Sequence, residues 1–507
     1  MKPWLAARLQ REVAEGSDGR YRLAYDRLDV SLLGGSVTAG GLQLIPDSTA
    51  AYRVRIGRLR ITGIDVLRLW LGRQVRVGSI VLDTPSVAMV RRPPADADSV
   101  EASRGSFLER LTRSVPDIRV KRIELREGQL VMTEAGSASR LHVQRLHAAL
   151  GNIRLDERSL ADTTRLYGAE SVTLDIGTLD YLRPDSLYRL QLGPLHAETD
   201  ANELTVDSLR YRATVDRAEF YRRVQLAKDI ADIAIDRLRL TGIDRAAWVR
   251  RQLLKADALL LDSGRIALYK DKTQPNPPVN KIGNSPHQQL LRLAQPLAID
   301  SVRVQGIDVR FTEVSDKTAK AGTVTFDGIS GVFRNVTNDA ATLAGDRFMR
   351  LHARTKVMGA GDLTVDFRFD LLDSLGGHTY TAALGPMDGT AFNRMLTPHL
   401  NVEVESAAIK GLRLDMAAND LRTEGTLLLD YNRLKVTFLE KDKGRETLVK
   451  RLLSFFANRM VLNDSNPDAD GKRHTGNVYL QRPADFSFFK MIWRSIREGT
   501  MEVVTGG

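Results

Sequence analysis

Few residues of this 507-residue chain are spaced for chemistry. Asn466, Asp468, Asp470 and Gly471 reproduce the first half of an EF-hand loop, a spacing that sets oxygen ligands around calcium. The twelfth position, where a bidentate Glu closes such a site, is Asn477, so a polar turn is the better account. His142 and His147 stand five apart in a strand-like run, which predicts opposite faces, and the eight histidines read as structural or surface groups. Gly359-Ala360-Gly361 does not continue into a dinucleotide fingerprint. There is no phosphate-binding glycine loop, zinc-protease motif or nucleophile elbow. With no cysteine, a thiolate metal site, a disulfide scaffold and a cysteine nucleophile are excluded. The expectation is a protein that is not an enzyme, with no catalytic residue, no metal and no cofactor.

What remains is the pattern of the strands. Apolar and polar residues alternate over short runs, the period of half-buried strands. Val172, Leu174 and Ile176 fall on one face, as do Leu204 with Val206, Val365 with Phe367 and Phe369, and Val402 with Val404. Such strands bury one face and predict antiparallel rather than doubly wound parallel sheets. Arg53, Arg55, Arg58 and Arg60 alternate with apolar residues, as on a sheet whose outer face is solvated. The net charge of +11 is thus spread over strand faces. That distribution, with 6% aromatic residues, argues against nucleic acid as a partner and suits an anionic membrane surface.

The strongest signal is an internal repeat. Residues 58–65 read RLRITGID and residues 237–244 read RLRLTGID, an offset of 179. At the same offset VLDT (81–84) meets LLDS (260–263), and Met132-Thr133-Glu134 meets Phe311-Thr312-Glu313. Apolar parity slips between Val54/Ile56 and Leu59/Ile61, and again between Ile233/Ile235 and Leu238/Leu240. One extra residue in a strand is a β-bulge, so a bent sheet is the duplicated object. Each copy also holds a short helix. One opens at Ser106 before FLERLTRSV and the other at Ser285-Pro286 before HQQLLRLAQ, beside the Pro-rich loops 91–99 and 274–286. Both are expected to cover an end or edge of a sheet.

The fold expected is mainly β: elongated, curved antiparallel sheets forming a repeating β-groove, with short capping helices and a helical C-terminus. Its parts are an N-terminal helix (1–20), a first groove unit (21–200), a second (201–440) and a helical region (441–507). Residues 1–16 carry Trp4, Leu5, Leu9 and Val13 on one stripe, either a helix capping the first sheet or the end of a membrane anchor. Residues 446–460 cluster Leu448, Leu452, Phe455, Phe456 and Met460. In residues 485–503, Phe486, Phe489, Ile492, Trp493 and Ile496 lie opposite Lys490, Arg494 and Arg497. That is either a membrane-surface helix or one packed over the last sheet. No apolar run is long enough to cross a bilayer as a helix.

The apolar face needs a cover. A second sheet would supply it; alternatively a bent sheet lines a trough filled by a ligand. Acyl chains suit a trough, since a sixteen-carbon chain costs on the order of 12 kcal/mol in water. The candidate lining is Val54, Ile56, Val172, Leu174, Leu204, Val206, Ile233, Ile235, Val365 and Phe367.

Three segments carry a family resemblance. These are YDRLDVSLLGGSVTAGGLQLIPD (25–47), VRIGRLRITGIDVLRLWLGRQVRVGSIVLDTPSVAMVR (54–91) and AAIKGLRLDMAANDLRTEGTLLLDYNRLKVTFLEKD (407–442). With the tail FSFFKMIWRSIREGT (486–500), they resemble AsmA-like proteins, related to the TamB- and YhdP-like envelope proteins. The resemblance implies a periplasmic body associated with the inner membrane, whose β-groove carries phospholipid or otherwise supports outer-membrane biogenesis. Its partners would be phospholipid or another acyl lipid, a membrane surface, and envelope proteins at the groove ends. The alternative is an assembly factor that binds proteins through sheet edges and carries no lipid.

Overall fold

The computed structural model is mainly β: one large mixed sheet of 23 strands, a few short helices and a C-terminal helix. It describes residues 10–11, 13–15, 20–31, 33–46, 52–67, 74–91, 117–138, 140–156, 159, 162–166, 168–439 and 462–506. The helices expected after Ser106 and over 446–460, the first Pro-rich loop beyond residue 91, and most of the N-terminal stripe lie outside the described residues. Residues 10–11 and 13–15 are helical.

The chain divides into two compact units, Met1–Thr214 with Arg237–Gln252, and Val215–Asp236 with Leu253–Gly507. The first holds β1 (Tyr21–Ala24), β2 (Arg27–Ser31), β3 (Ser36–Pro46), β4 (Tyr52–Thr62), β5 (Val75–Arg91) and β6 (Ile118–Glu134). It continues with β7 (Arg140–Leu155), β8 (Ser171–Leu182), β9 (Tyr188–Leu192), β10 (Leu195–Glu198), β11 (Glu203–Val206) and β12 (Leu209–Ala213). Helix α1 (Arg217–Val224) leads into β13 (Ile230–Thr241), whose last four residues pair with β11; α2 (Arg245–Arg251) follows. The second unit contains β14 (Leu254–Asp271), α3 (Pro286–Leu291), β15 (Leu297–Val314), β16 (Ala321–Thr337), α4 (Ala340–Gly345), β17 (Phe348–Val357) and β18 (Gly361–Asp370). Then come β19 (His378–Leu384), β20 (Met387–Asp388), α5 (Asn393–Leu400), β21 (Val402–Ala418), β22 (Arg422–Phe438), β23 (Gly476–Gln481) and α6 (Phe488–Thr505).

The duplication is written into the backbone. Left-handed residues recur at Gly63 and Gly242, Thr84 and Ser263, and Glu127 and Gly306, all at the offset of 179. After the β6–β7 turn the offset becomes 183, at Arg145 and Gly328 and at Asn152 and Asn335, because the hairpin beyond Thr312↔Thr323 is four residues longer than that beyond Thr133↔Arg140. The sheet is mixed rather than antiparallel throughout. In each copy one neighbouring pair is parallel, β5 with β6 from Val75↔Ile118 and β14 with β15 from Leu254↔Leu297, again 179 apart. A parallel pair requires a long crossover. In the second copy that crossover carries α3, where Ser285 N–H donates to Gln288 Oε1 at 3.0 Å. The parity of a strand is the same in either direction, so alternation alone does not show this.

The parity slip falls at one level across six strands of the first unit. Gly41 in β3 lies opposite Gly57 in β4, which lies opposite Thr84 in β5. The line continues through Glu127 and Gly128 in β6, Arg145 in β7 and Gly177 in β8. A β-carbon on Gly57 would stand 2.2 Å from Thr84 Oγ1. A slip in one strand alone would turn its remaining apolar residues to the other face; matched slips keep every strand in phase.

In the second unit, α6 packs along β22 and β23. Ser487 caps its start by accepting from Lys490 N–H at 3.2 Å, and Gly506 ends it with φ 84°. Val503 and Val504 join Tyr380, Leu414, Met416, Leu427, Leu429, Tyr431 and Val478 in one core. Two glycines set the approach: a β-carbon on Gly476 would lie 2.2 Å from Gly499 O, and one on Gly499 would lie 2.8 Å from Leu427 Cβ. Gly499→Val should therefore lower stability by about 1–3 kcal/mol through overpacking. Gly345→Ala, which meets nothing within 4 Å, should be near neutral. Urea denaturation of both variants measures the difference.

Candidate functional site

The register of the first unit assembles the candidate residues into continuous apolar rows running across the strands. One row reads Ala39, Leu59, Leu82, Leu125, Ala148, Leu174, Ala197, Leu204 and Leu240, each paired with the next. The row beside it includes Leu42, Ile56, Pro85, Leu146, Ile176, Leu195, Val206 and Leu238, with Gly128 between Pro85 and Leu146. Val54 lies in a third row between Leu44 and Val87, and Val172 ends a fourth opposite Leu150. Nine strands at about 4.8 Å spacing give such a row roughly 38 Å. Ile56, Leu59, Leu82, Leu125, Leu174 and Leu204 are half-buried, while Ala39, Val143, Val206 and Leu240 are buried.

The other face is ionic. Arg53, Arg55, Arg58 and Arg60 are exposed. Glu124 sits between Arg126 and Arg122, and the hydrogen bond from Arg126 holds its carboxyl below the usual range. Arg239 grips Glu203 with two bonds of 2.8 and 2.9 Å. His142 and His147 both belong to this face, opposite Asp180 and Asp175, which corrects the expectation that they diverge. The left-handed Arg145 between them shifts the parity by one. Among the described residues no group of three His, Asp or Glu side chains is placed to hold a metal.

The EF-hand-like spacing forms a closed polar turn. Asn466 is fully buried and donates to Leu429 O (2.7 Å) and His474 O (2.9 Å). Asp468 Oδ1 accepts from the N–H groups of Asp470 and Lys472, and Oδ2 pairs with His474 Nε2 at 2.9 Å.

In the second unit the same kind of face is filled. Phe367 and Val365 lie in rows with Leu351 and Ala353 on one side and Tyr380 and Ala382 on the other. Phe488 of α6 settles over them, 6.0 Å from the Phe367 ring and 6.2 Å from Phe369. Ile235 is buried and Ile233 half-buried; Ala234 beside Ile235 is buried too, so the strand is covered on both faces there. Of the candidate membrane-surface residues, Ile492 and Ile496 pack on the sheet. Phe489 (70% exposed) and Trp493 (43%) face outward, with Lys490 and Arg497 exposed beside them. Lys490 Nζ stands 3.5 Å over the Phe486 ring, and Arg494 is 5.6 Å from it.

Sequence reasoning missed a buried ionic hub beneath this helix start. Arg482 Nη1 meets Asp420 Oδ1 at 2.8 Å, with side-chain exposures of 2% and 4%. Gln288 Nε2 donates to Asp420 Oδ2 (2.7 Å), and Arg482 donates further to Ser285 Oγ, Lys281 O and Phe486 O. Beside it, His287 pairs through Nε2 with Gly376 O at 3.1 Å. Apart from Phe486, four residues from Arg482, the partners are 62 to 201 residues apart in sequence, so no local motif announces them.

Two concavities, of about 280 and 270 Å³, lie off the apolar rows. The first is lined by charged groups including Arg368, Asp370, Arg422 and Glu424, the second by β23 and α6. No family model and no curated protein matches this chain.

Two expectations follow. Asp420→Ala strands a buried guanidinium and should cost about 3–5 kcal/mol by chemical denaturation. Burial, then the neighbouring His378, pushes His287 down to about 4, against about 6.5 when unfolded. The unfolded chain therefore binds the extra proton first. Stability is intact above pH ~6.5 and falls by up to about 3 kcal/mol as pH drops towards ~4. Urea midpoints across that window should slope downward, and His287→Gln should flatten the slope.

Proposed function

We propose that the protein is a non-catalytic carrier whose apolar sheet face in the first unit binds acyl chains of phospholipid and passes them along the apolar rows, from strand to strand. One observation carries this reading: the in-register apolar rows cross nine strands and leave Leu59, Leu82, Leu125, Leu174 and Leu204 partly exposed. An acyl chain laid along such a row removes about 0.8 kcal/mol of hydration cost per methylene. Rows without polar anchors give no preferred stopping point, so a bound chain slides. The ionic back face keeps the sheet wetted on one side only.

The motif resemblance to AsmA-like proteins supports the same reading. It also supports a setting at the cell envelope, in the periplasm beside the inner membrane, with a role in outer-membrane biogenesis. A second reading, an envelope scaffold that binds proteins through sheet edges, draws on the second unit, where α6 fills the apolar face.

Organic extraction of the purified protein followed by mass spectrometry tests the carrier reading. Co-purifying phospholipid is expected, and Leu174→Asp with Leu204→Asp should empty the protein while leaving its thermal midpoint little changed. Protein that yields no lipid, or a double variant that retains it, overturns the reading. Val206 is a poor probe, since its side chain is already enclosed.

A further inference from the structure

Five exposed apolar side chains of the second unit lie at one end of its strands, while Tyr479 lies within β23, Val279 on the loop before α3 and Leu293 just past α3. Leu372 (54% exposed) and Leu375 (41%) lie on the turn between β18 and β19, and Leu421 (58%) lies on the turn between β21 and β22. Phe489 and Trp493 stand on the first turns of α6, beyond the end of β23. These are rigid positions. Asp420 N–H donates to Leu375 O at 2.9 Å, and Arg482 N–H donates to Leu421 O at 2.7 Å, tying both turns and the helix entry together. Asp373 fastens its own turn by accepting from Leu375 and Gly377 N–H, and Asn419 Oδ1 accepts from Leu421 N–H. The Asp420–Arg482 pair and Gln288 lie directly beneath.

Cations ring this end. Lys490 and Arg497 are exposed, and Arg292 is exposed at the end of α3. Burial first, and then Lys270 and Lys490, pushes the Lys281 ammonium below lysine's usual range, with Asp229 and Asp485 opposing the shift. The acidic groups nearby are engaged: Asp373 by backbone N–H groups, Asp485 by Lys490 at 3.2 Å, and Glu498 by Arg497 and Arg494.

We propose that this end docks on an anionic phospholipid bilayer, inserting Leu372, Leu375, Leu421, Phe489 and Trp493 into the interface while the surrounding cations meet lipid phosphates. Apolar and aromatic side chains held on a rigid tip within a basic ring are what a bilayer interface selects. The proposal stands on different residues from the carrier reading and adds two turns to the helix singled out by sequence.

The test is co-sedimentation of the full chain with phosphatidylglycerol–phosphatidylcholine vesicles and with phosphatidylcholine alone. Binding should require the anionic lipid and weaken with salt, and Trp493 emission should shift to the blue, a shift lost in Trp493→Phe. Leu372→Ser, Leu421→Ser and Phe489→Ser together should weaken binding about tenfold or more with an unchanged thermal midpoint. Lys490→Glu with Arg497→Glu should remove the preference for anionic lipid. Absence of vesicle binding overturns the proposal, as does a triple variant that binds like the parent. So does a triple variant that loses only self-association in sedimentation velocity, which would assign the surface to a second copy of the chain. Leu174→Asp should leave vesicle binding intact. Vesicle binding by a protein that carries no extracted lipid overturns the carrier reading and supports this one.

Discussion

Phase between neighbouring strands is the constraint on which the first unit rests. A strand has two faces and a period of two, so any added residue exchanges them. This sheet adds one residue per strand at the same level, from Gly41 through Gly57, Thr84, Glu127, Arg145 and Gly177. Because the slips are matched, arginines stay with arginines and leucines with leucines on both sides of the line. Without that matching, an apolar row would change faces at the unmatched strand, and Arg55 would take the place of Ile56 opposite Pro85. The non-glycine residues on the line accept a left-handed backbone, so the surrounding ladder bears a local cost at Thr84, Glu127 and Arg145.

The two units treat the same kind of surface differently. In the second, Phe488, Ile492, Ile496 and Val503 of the C-terminal helix are the cover, admitted by the Gly476–Gly499 approach. In the first, the apolar rows stay partly exposed along most of their course. The Asp420–Arg482 pair gains little net stability from its attraction, since both charges lost their water. Its value is geometric: it joins the loop before α3, two strand turns and the helix entry at one point.

Much of the fold was legible because the information is local. Alternation such as Val172-Leu174-Ile176 reports a half-buried strand, and RLRITGID against RLRLTGID reports the duplication. The slip after Ile56 was visible too, and it falls at Gly57. The parallel pairs were not legible, because a strand's parity carries no direction and the crossover is long. The shared face of His142 and His147 was hidden by one left-handed arginine between them. An amphipathic helix such as α6 presents the same pattern to a bilayer and to a sheet. Only packing separates Ile492 and Ile496, which the sheet takes, from Phe489 and Trp493, which it leaves outward. The ionic hub joins residues too far apart in sequence for any spacing rule.

The recurrence of left-handed residues at fixed intervals in both copies has an evolutionary corollary. A module that brings its own kinks, its own crossover and its own greasy and charged sides can be copied whole. Gene duplication then acts as a length adjustment. The number of modules, not the size of any strand, decides how many ribbons stand abreast, and a lineage could lengthen or shorten such a protein in whole steps.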